Sequence, residues 1–305
     1  MKKQVLFIVG PTASGKTNLS LQIAEKYPVE LISADSRQIY RFMDIGTAKP
    51  EKSILERFRH HFVNIFNPDE YYSAGRFGKE ARHVIDEIFK KNRNPLVAGG
   101  SGFYIKALID GIFDEDIKDE EIRDFLNHRL EKEGLPVLFN ELAEKDTEYA
   151  SRISANDTQR ILRSLEVIYL TGKPFSAWHR QKTEAFPYKP VIIGLDVERK
   201  VLYERINRRV DDMIHKGLVD EAQAILDKGY SLKNNALNTV GYKEVIAYLN
   251  GEISMEEMIE LIKRNTRRYA KRQMTWFRAD KRILWRKADD PQIWEIIGQS
   301  MSLKI

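Results

Sequence analysis

The chain has 305 residues, of which 42% are hydrophobic and 31% charged, with a formal net charge of +5 and no cysteine. This balance allows one or two folded domains with a sizeable core, and it excludes disulfides, thiolate zinc sites and thiol catalysis. The sequence contains no run of about 18 apolar residues, so we expect no membrane span. Because a predicted strand begins at Val5, we also expect no signal peptide. The absence of cysteine fits a reducing compartment, and we expect a cytoplasmic location.

The first third of the chain alternates predicted strands with predicted helices, a pattern typical of a parallel sheet with helices on both faces. The predicted elements are strands at 5–9, 30–34 and 95–98 and helices at 16–27 and 76–91. Ligands of such sheets bind at the carboxyl ends of the strands. We therefore expect residues 10–17, 35–38 and 99–104, which follow three of these strands, to lie together.

Charged amphipathic helical patterns without a strand signal fill residues 114–189. The chain then returns to predicted core elements, namely a strand at 191–195, helices at 198–215, 218–227, 241–249 and 254–273, and a strand at 282–286. We predict an α/β fold, a P-loop NTPase-like parallel sheet flanked by helices, with an all-helical insertion domain. The core would comprise 1–113 and 190–305, including basic C-terminal helices, and the insertion 114–189.

A phosphate-loop pattern, G-x-x-x-x-G-K-[ST], lies between the first predicted strand and the first predicted helix. It comprises Gly10, Pro11, Thr12, Ala13, Ser14, Gly15, Lys16 and Thr17. The glycines let backbone N–H groups turn towards one anion, and the helix N-terminus adds partial positive charge. Lys16 would reach the terminal phosphate, and the hydroxyl of Thr17 would ligate Mg²⁺. The loop predicts a polyphosphate ligand but not, by itself, a nucleotide.

Polar residues follow the next two strands. Asp35 could bind the metal, cap the following turn or accept a proton from a substrate, and the nearby Arg37 and Gln38 can both pair with a base edge. The turn at 99–104 has three glycines, which bring backbone close to a ligand, and one hydroxyl, that of Ser101. A plain tight turn explains this second segment equally well.

The last third of the chain contains the clusters of lysine and arginine that bear on function. Arg205 and Arg209 lie one turn apart on a predicted helix, where they could clamp a phosphate or form a solvated basic face. Residues 263–287 contain eleven Lys or Arg residues and one acidic residue, with four aromatic residues interleaved. This composition is typical of a surface that contacts phosphates and stacks on unpaired bases. The six histidines show no metal-ligand spacing.

Taken in order, these motifs resemble those of bacterial tRNA dimethylallyltransferases, also called tRNA isopentenyltransferases, over nearly the whole chain. The resemblance rests on the phosphate loop, Asp35–Tyr40, Asp44–Pro50, the glycine turn through Tyr104, Asn156–Asp157, Arg160, Arg163–Val167, Gly172–Pro174, Val240–Glu244 and Ala270–Arg278. A phosphate loop alone would not distinguish this family from other P-loop proteins, whereas the ordered set does.

The resemblance implies transfer of a prenyl group from dimethylallyl diphosphate to N6 of adenine 37 in the anticodon stem-loop of tRNAs that read codons beginning with U. It implies Mg²⁺ on Thr17, a diphosphate held by the phosphate loop and Arg209, and catalytic roles for Asp35, Ser101 and Lys16, with Asp35 as the base. The implied tRNA contacts are Asp35, Ser36, Arg37, Gln38, Ser101, Arg123, Gln159, Arg160, Ile161, Leu162, Arg163, Arg268 and Arg272.

Two departures and several alternatives accompany this interpretation. The glycine turn of the family often carries Thr and Leu where this chain has Ser101 and Phe103, and the cysteine-free chain lacks the zinc finger of eukaryotic relatives.

A small-molecule P-loop kinase would explain the loop but not the basic aromatic segment. An adenylate isopentenyltransferase acting on free AMP would need no tRNA surface, and an RNA-binding NTPase switch would modify no base. We expect a monomer with tRNA and dimethylallyl diphosphate as partners.

Overall fold

The computed structural model describes residues 2–112, 117, 119–179 and 184–301. The chain divides into two compact units, one formed by Met1–Ile109 with Phe186–Ile305 and the other by Asp110–Ala185. None of the helices in the described ranges combines the length and apolar character that crossing a membrane requires.

Six strands of the first unit form one parallel sheet with the order β3-β2-β4-β1-β5-β6. The strands are β1 Gln4–Val9, β2 Val29–Ser33, β3 His60–His61, β4 Asn94–Gly99, β5 Lys189–Leu195 and β6 Ile283–Arg286. Along the chain, the helices are α1 Lys16–Lys26, α2 Lys52–Arg57, α3 Ala74–Lys90, α4 Gly102–Asp110, α5 Glu120–Glu133, α6 Leu135–Lys145, α7 Thr147–Ala150, α8 Thr158–Thr171, α9 Phe175–His179, α10 Arg199–His215, α11 Leu218–Asp227, α12 Tyr242–Leu249, α13 Met255–Ala279 and α14 Gln292–Ser300. The predicted P-loop NTPase-like parallel sheet flanked by helices is confirmed.

The central strand β1 is buried on both faces, which explains its continuous apolar sequence. Val5, Phe7 and Val9 point into a core shared with α3 and with α11–α13, whereas Leu6 and Ile8 point into a core shared with α1 and α14. A strand alternates its side chains between the two faces of a sheet, so each face needs its own apolar set.

Strand register places the candidate segments side by side. Val9 of β1 is paired with Gly99 of β4, and Ser33 of β2 is paired with Ala98 of the same strand. The chain therefore leaves all three strands at one edge of the sheet, and the three segments predicted to lie together begin there.

Helix α13 runs six residues further than the sequence predicted, to Ala279 instead of Gln273. Its start is fixed by a capping box, in which Ser254 Oγ accepts from the Glu257 N–H at 3.2 Å and Glu257 Oε2 accepts from the Ser254 N–H at 2.9 Å. No glycine or proline interrupts the stretch that follows, so the helix continues to Ala279. The whole basic and aromatic segment up to Ala279 is consequently helical.

The second unit consists of helices α5–α9 in its described residues. Its core is formed by Leu126 of α5, Leu138 and Leu142 of α6, and Ile161 and Leu165 of α8. Phe125, the residue immediately before Leu126, is exposed. Leu126 alone faces inward at that step, because adjacent residues of a helix point in directions about 100° apart.

Candidate active site

The phosphate loop leaves β1 at Gly10 and enters α1 at Lys16. Gly10 and Gly15 have φ angles of +147° and +99°, which a side chain rarely permits, and Ala13 also adopts a positive φ of +62°. These angles bend the backbone around the N-terminus of α1, where unpaired helical N–H groups attract an anion. The Ser14 hydroxyl is buried in the loop and has no hydrogen-bond partner among the described residues, so the loop holds an unused donor.

Two cations lie at this loop. Lys16 Nζ donates to the carbonyl oxygens of Gly10 at 3.0 Å and Pro11 at 2.7 Å. Burial lowers the pKa of Lys16 to about 8, an effect that the Asp35 carboxylate opposes and the Arg209 charge reinforces. Arg209 of α10 donates from Nη1 to Thr12 Oγ1 at 3.2 Å, and burial lowers its pKa as well. Of the basic residues on α10, Arg209 is the one that reaches the loop, while Arg205 is exposed.

Asp35 uses its two carboxylate oxygens differently. Oδ1 accepts from the backbone N–H groups of Arg37 at 2.9 Å and Gln38 at 3.3 Å, so the capping interpretation is correct for this oxygen. Oδ2 has no hydrogen-bond partner in the part of the chain that the structure describes. The negative charge of Asp35 raises the pKa of Lys16 in the phosphate loop, and it also acts on Lys49, Tyr104 and Tyr269.

The glycine turn after β4 is packed too tightly for side chains. A Cβ atom on Gly99 would lie 2.1 Å from the Ala34 carbonyl oxygen, and one on Gly102 would lie 2.2 Å from the ring of Trp276. The Ser101 N–H donates to the Ala34 carbonyl at 3.1 Å, which ties the turn to the residue before Asp35. Ser101 is half-buried.

Gln273 of α13 joins the phosphate loop to the glycine turn, a role that the sequence did not reveal. Its Oε1 accepts from the Thr12 N–H at 2.8 Å and its Nε2 donates to the Gly100 carbonyl at 2.9 Å. The signal in the sequence is weak: an uncharged polar residue four positions before Phe277, on the buried face of a basic helix.

A half-buried carboxylate also explains two motifs that had no assigned role. Glu221 of α11 accepts from the N–H groups of three successive residues, 44–46, at 2.8–3.0 Å, and from the Tyr242 hydroxyl at 2.6 Å. Gly46 is required because a Cβ atom there would lie 2.5 Å from the Tyr242 ring. Through these hydrogen bonds, the motifs at 44–50 and 240–244 hold the loop that follows Gln38 against α11 and α12.

Three other residues of the first unit, Ser36, Arg37 and Gln38, were predicted to contact tRNA, and two of them already form hydrogen bonds within the protein. Arg37 donates from Nη1 to the Asn235 carbonyl at 2.8 Å, and the Gln38 amide is shared between Ser33 Oγ at 3.1 Å and the carbonyls of residues 47 and 48 at 3.3 Å. Pairing of Gln38 with a base edge would require these bonds to break. Ser36 is half-buried in the same segment.

The basic residues of α13 separate into paired and unpaired groups. Lys263 pairs with Asp211 at 2.8 Å, and Arg278 lies 3.4 Å from Asp196. Arg268 and Arg272 are exposed and have no acidic partner in the described ranges. The guanidinium of Arg272 lies 5.7 Å from the ring centre of Tyr269, whose pKa burial raises to about 12. These two arginines are available to a polyanion.

In the second unit, a buried glutamate orients two of the predicted arginines. Glu166 Oε2 accepts from Arg163 Nη1 at 3.0 Å and Arg123 Nη1 at 3.5 Å, while the Glu166 side chain is 1% exposed. Gln159 and Arg160 are exposed at the start of α8. The positive charges of Arg123 and Arg163 therefore lie around one carboxylate of the same unit.

The structure corrects two of the predicted tRNA contacts. Ile161 and Leu162 are 0% and 9% exposed and pack in the core of the helical unit. Their apolar side chains stabilise α8 against its neighbours and present no surface to RNA. The periodic pattern of α8, which repeats at Leu165 and Ile168, is the signal that indicated this burial.

The fold and the site together define a phosphate-loop α/β protein in which two cations lie at the loop, and a carboxylate oxygen without a partner among the described residues follows the neighbouring strand. The family model for IPP transferase matches residues 38–280, and the chain belongs to this family.

Known proteins of this family resemble the chain over almost its full length. The tRNA dimethylallyltransferase of Acetivibrio thermocellus is 44% identical over 289 residues, which cover 94% of this chain and 92% of that protein. The crystal structure of the tRNA isopentenylpyrophosphate transferase of Bacillus halodurans is 40% identical, with a TM-score of 0.71 and coverage of 98% and 95%. A eukaryotic dimethylallyltransferase acting on tRNA is 30% identical, with a TM-score of 0.79 and coverage of 96% and 76%.

Proposed function

We propose that this chain transfers the dimethylallyl group of dimethylallyl diphosphate to N6 of adenine 37 in the anticodon loop of tRNAs reading codons that begin with U. The observation that carries the proposal is the carboxylate of Asp35, which follows β2 at the sheet edge where the phosphate loop begins and whose Oδ2 is unpartnered in the described chain. A donor diphosphate in the loop would place its reactive carbon beside a base. The named relatives support this function over that of a small-molecule kinase.

The phosphate loop would hold the leaving group. Lys16 would turn from the carbonyls of Gly10 and Pro11 to the diphosphate, and Arg209 would reach it beside Thr12. The Ser14 hydroxyl would find the acceptor that it lacks within the described chain. As the allylic C–O bond opens, negative charge accumulates on the diphosphate, and preformed cations stabilise this charge more than they stabilise the ground state.

The residues present fit a magnesium ion carried mainly by the diphosphate. Mg²⁺ prefers substrate phosphates, water and one or two protein oxygens, and Thr17 at the first turn of α1 supplies one such oxygen. Within the described residues, no group of three or more His, Cys, Asp or Glu side chains could hold a metal by itself. When bound, the ion would neutralise charge on the diphosphate.

Asp35 would act on the adenine amine. The N6 lone pair is delocalised into the ring, so the amine needs a positioned base and a polarised leaving group. The bond from N6 to the allylic carbon forms, the bond from that carbon to the diphosphate oxygen breaks, and the N6 proton passes to Oδ2 of Asp35. Oδ1 keeps the carboxylate in place through Arg37 and Gln38, and the hydroxyl of Ser101 would orient the amine or a diphosphate oxygen.

The proposed tRNA contacts lie on each unit. The exposed side chains of Arg268 and Arg272 would bind phosphates, and the partly exposed Tyr269 beside Arg272 would stack on a base that has left the anticodon stack. In the helical unit, predicted as an insertion at 114–189, the candidate contacts are Arg123, Gln159, Arg160 and Arg163. We also propose that the protein acts as a monomer in the cytoplasm.

A mass measurement on tRNA tests this function. Purified protein is incubated with Mg²⁺, dimethylallyl diphosphate and an unmodified tRNA transcript, and the nucleosides are then weighed. We expect a gain of one five-carbon prenyl unit on adenosine, and no gain on a matched transcript with guanine at position 37. A gain on free AMP alone, or release of ADP from ATP without any gain, would contradict the proposal.

A further inference from the structure

Gln273 is a buried amide whose two ends are both used by backbone of the active site. The side chain is on α13, 261 positions along the chain from Thr12, and the residue is 7% exposed. Burying an amide costs free energy unless its donor and its acceptor both find partners, and here both do, on two different loops. We propose that Gln273 is a positioning residue that sets the phosphate loop and the glycine turn at a fixed separation. This inference rests on the proposed function.

Both backbone partners of Gln273, Thr12 and Gly100, are close in the chain to residues of the proposed active site. Thr12 lies in the loop that would hold the diphosphate, and its Oγ1 receives the hydrogen bond of Arg209. Gly100 precedes Ser101, whose N–H is bonded to the Ala34 carbonyl immediately before Asp35. The amide of Gln273 therefore sets the spacing between the loop of the leaving group and the segment that carries the base.

The glycine at position 100 leaves room for the Gln273 amide. A Cβ atom on Gly100 would lie 2.4 Å from Gln273 Nε2, and the next nearest atoms outside the turn would be 3.5 Å away. Gly100 does not adopt a positive φ, so an alanine there is compatible with the backbone. The absence of a side chain at this position is explained by the amide that approaches it.

Loss of the bridge is expected to act on the chemical step more than on tRNA binding. Misplacement of reacting groups by about 1 Å lowers rates about 100-fold in other enzymes, because the attacking atom and the leaving group must be aligned. In contrast, Arg268 and Arg272 of α13 are exposed whereas Gln273 is buried, so these arginines would keep their contacts with RNA.

The test uses the full chain with Gln273→Met, which keeps the size of the side chain and removes the hydrogen bonds with Thr12 and Gly100 together with the one to Tyr269. The matched control is Gln223→Met on α11, where an exposed amide donates to Asp227 at 2.8 Å. Pyrophosphate with Mg²⁺ is the probe for the loop, measured by titration calorimetry, and single-turnover transfer with saturating tRNA reports the chemical step.

For Gln273→Met we expect pyrophosphate affinity to fall at least about tenfold and the transfer rate to fall between about 10- and 100-fold, with tRNA affinity within twofold of the native value. The control should match the native protein. Unchanged pyrophosphate affinity and transfer rate in a folded Gln273→Met variant would overturn the proposal. If the native protein binds pyrophosphate but modifies no tRNA, the proposed function fails, while the titration still tests the bridge.

Gly100→Ala provides a second variant that leaves Gln273 in place. Its methyl group displaces a flexible side-chain end, so the fold is expected to survive, and the same losses should appear. Because both substitutions disrupt the same bridge, the double variant should be no worse than the more impaired single variant. Losses that multiply in the double variant would show that the two residues act independently and would contradict the inference.

Discussion

The lowered pKa of Lys16 predicts an alkaline limit to diphosphate binding. Burial disfavours the charged ammonium and moves its pKa from the ordinary 10.5 to about 8, so the charge is present below pH 8 and is lost as the pH rises through this value. The charged fraction is about 0.9 at pH 7 and about 0.1 at pH 9. Therefore, kcat/KM for dimethylallyl diphosphate should fall about tenfold between these two values.

The rate at saturation should behave differently. A bound diphosphate brings negative charge to Lys16 and raises its pKa, so kcat should stay nearly constant over the same range. The assay is initial-rate prenyl transfer at saturating tRNA and constant ionic strength, with subsaturating and saturating donor between pH 6.5 and 9.5. Below this range, protonation of the diphosphate itself would interfere, because phosphate groups have a pKa of about 6.

Lys16→Arg is the control, since a guanidinium keeps its charge throughout this range. Its absolute activity is expected to be lower, but the alkaline fall in kcat/KM should disappear. Two results would refute the reasoning: a native profile that stays flat to pH 9.5, or the same fall in the arginine variant.

Three further predictions concern the surroundings of the site. Gly102→Ala would drive a methyl group into the ring of Trp276, so we expect a loss of about 1–3 kcal/mol in the free energy of unfolding by urea; unchanged stability would contradict the observed packing. Glu221→Ala would leave three backbone N–H groups and a tyrosine hydroxyl without their acceptor, and we expect a loss of about 2–4 kcal/mol in the same assay. Arg268→Glu and Arg272→Glu should each weaken tRNA binding and reduce its salt dependence by about one unit of log–log slope; an unchanged slope would place the phosphate contact elsewhere.

The parts of the site that could be predicted are those set by short segments of sequence. The phosphate loop was recognisable because its glycines, the preceding apolar strand and the following helix are adjacent. Asp35 was found because carboxyl ends of parallel strands share one edge, and the register of Val9 with Gly99 confirms that edge. In both cases, local backbone geometry decides the position of the side chains.

The parts that could not be predicted depend on tertiary contacts. The bridge of Gln273 to Thr12 joins residues 261 positions apart, and no local pattern indicates it. Glu221 likewise meets residues 44–46 only in the folded chain. The strand β3 has two residues, too few for a periodic signal. Ile161 was assigned to tRNA by family resemblance, although its helical periodicity indicated the core where it lies.

Single-turnover prenyl transfer by Asp35→Asn tests the central claim most directly. Asparagine keeps an oxygen for the N–H groups of Arg37 and Gln38, so the turn should persist, but its amide cannot take the N6 proton. We expect the transfer rate to fall at least about 100-fold, in the range typical of a lost general base, with tRNA and pyrophosphate affinities within about threefold of the native values. A near-native transfer rate would show that Asp35 is not the base, and it would contradict the proposed mechanism.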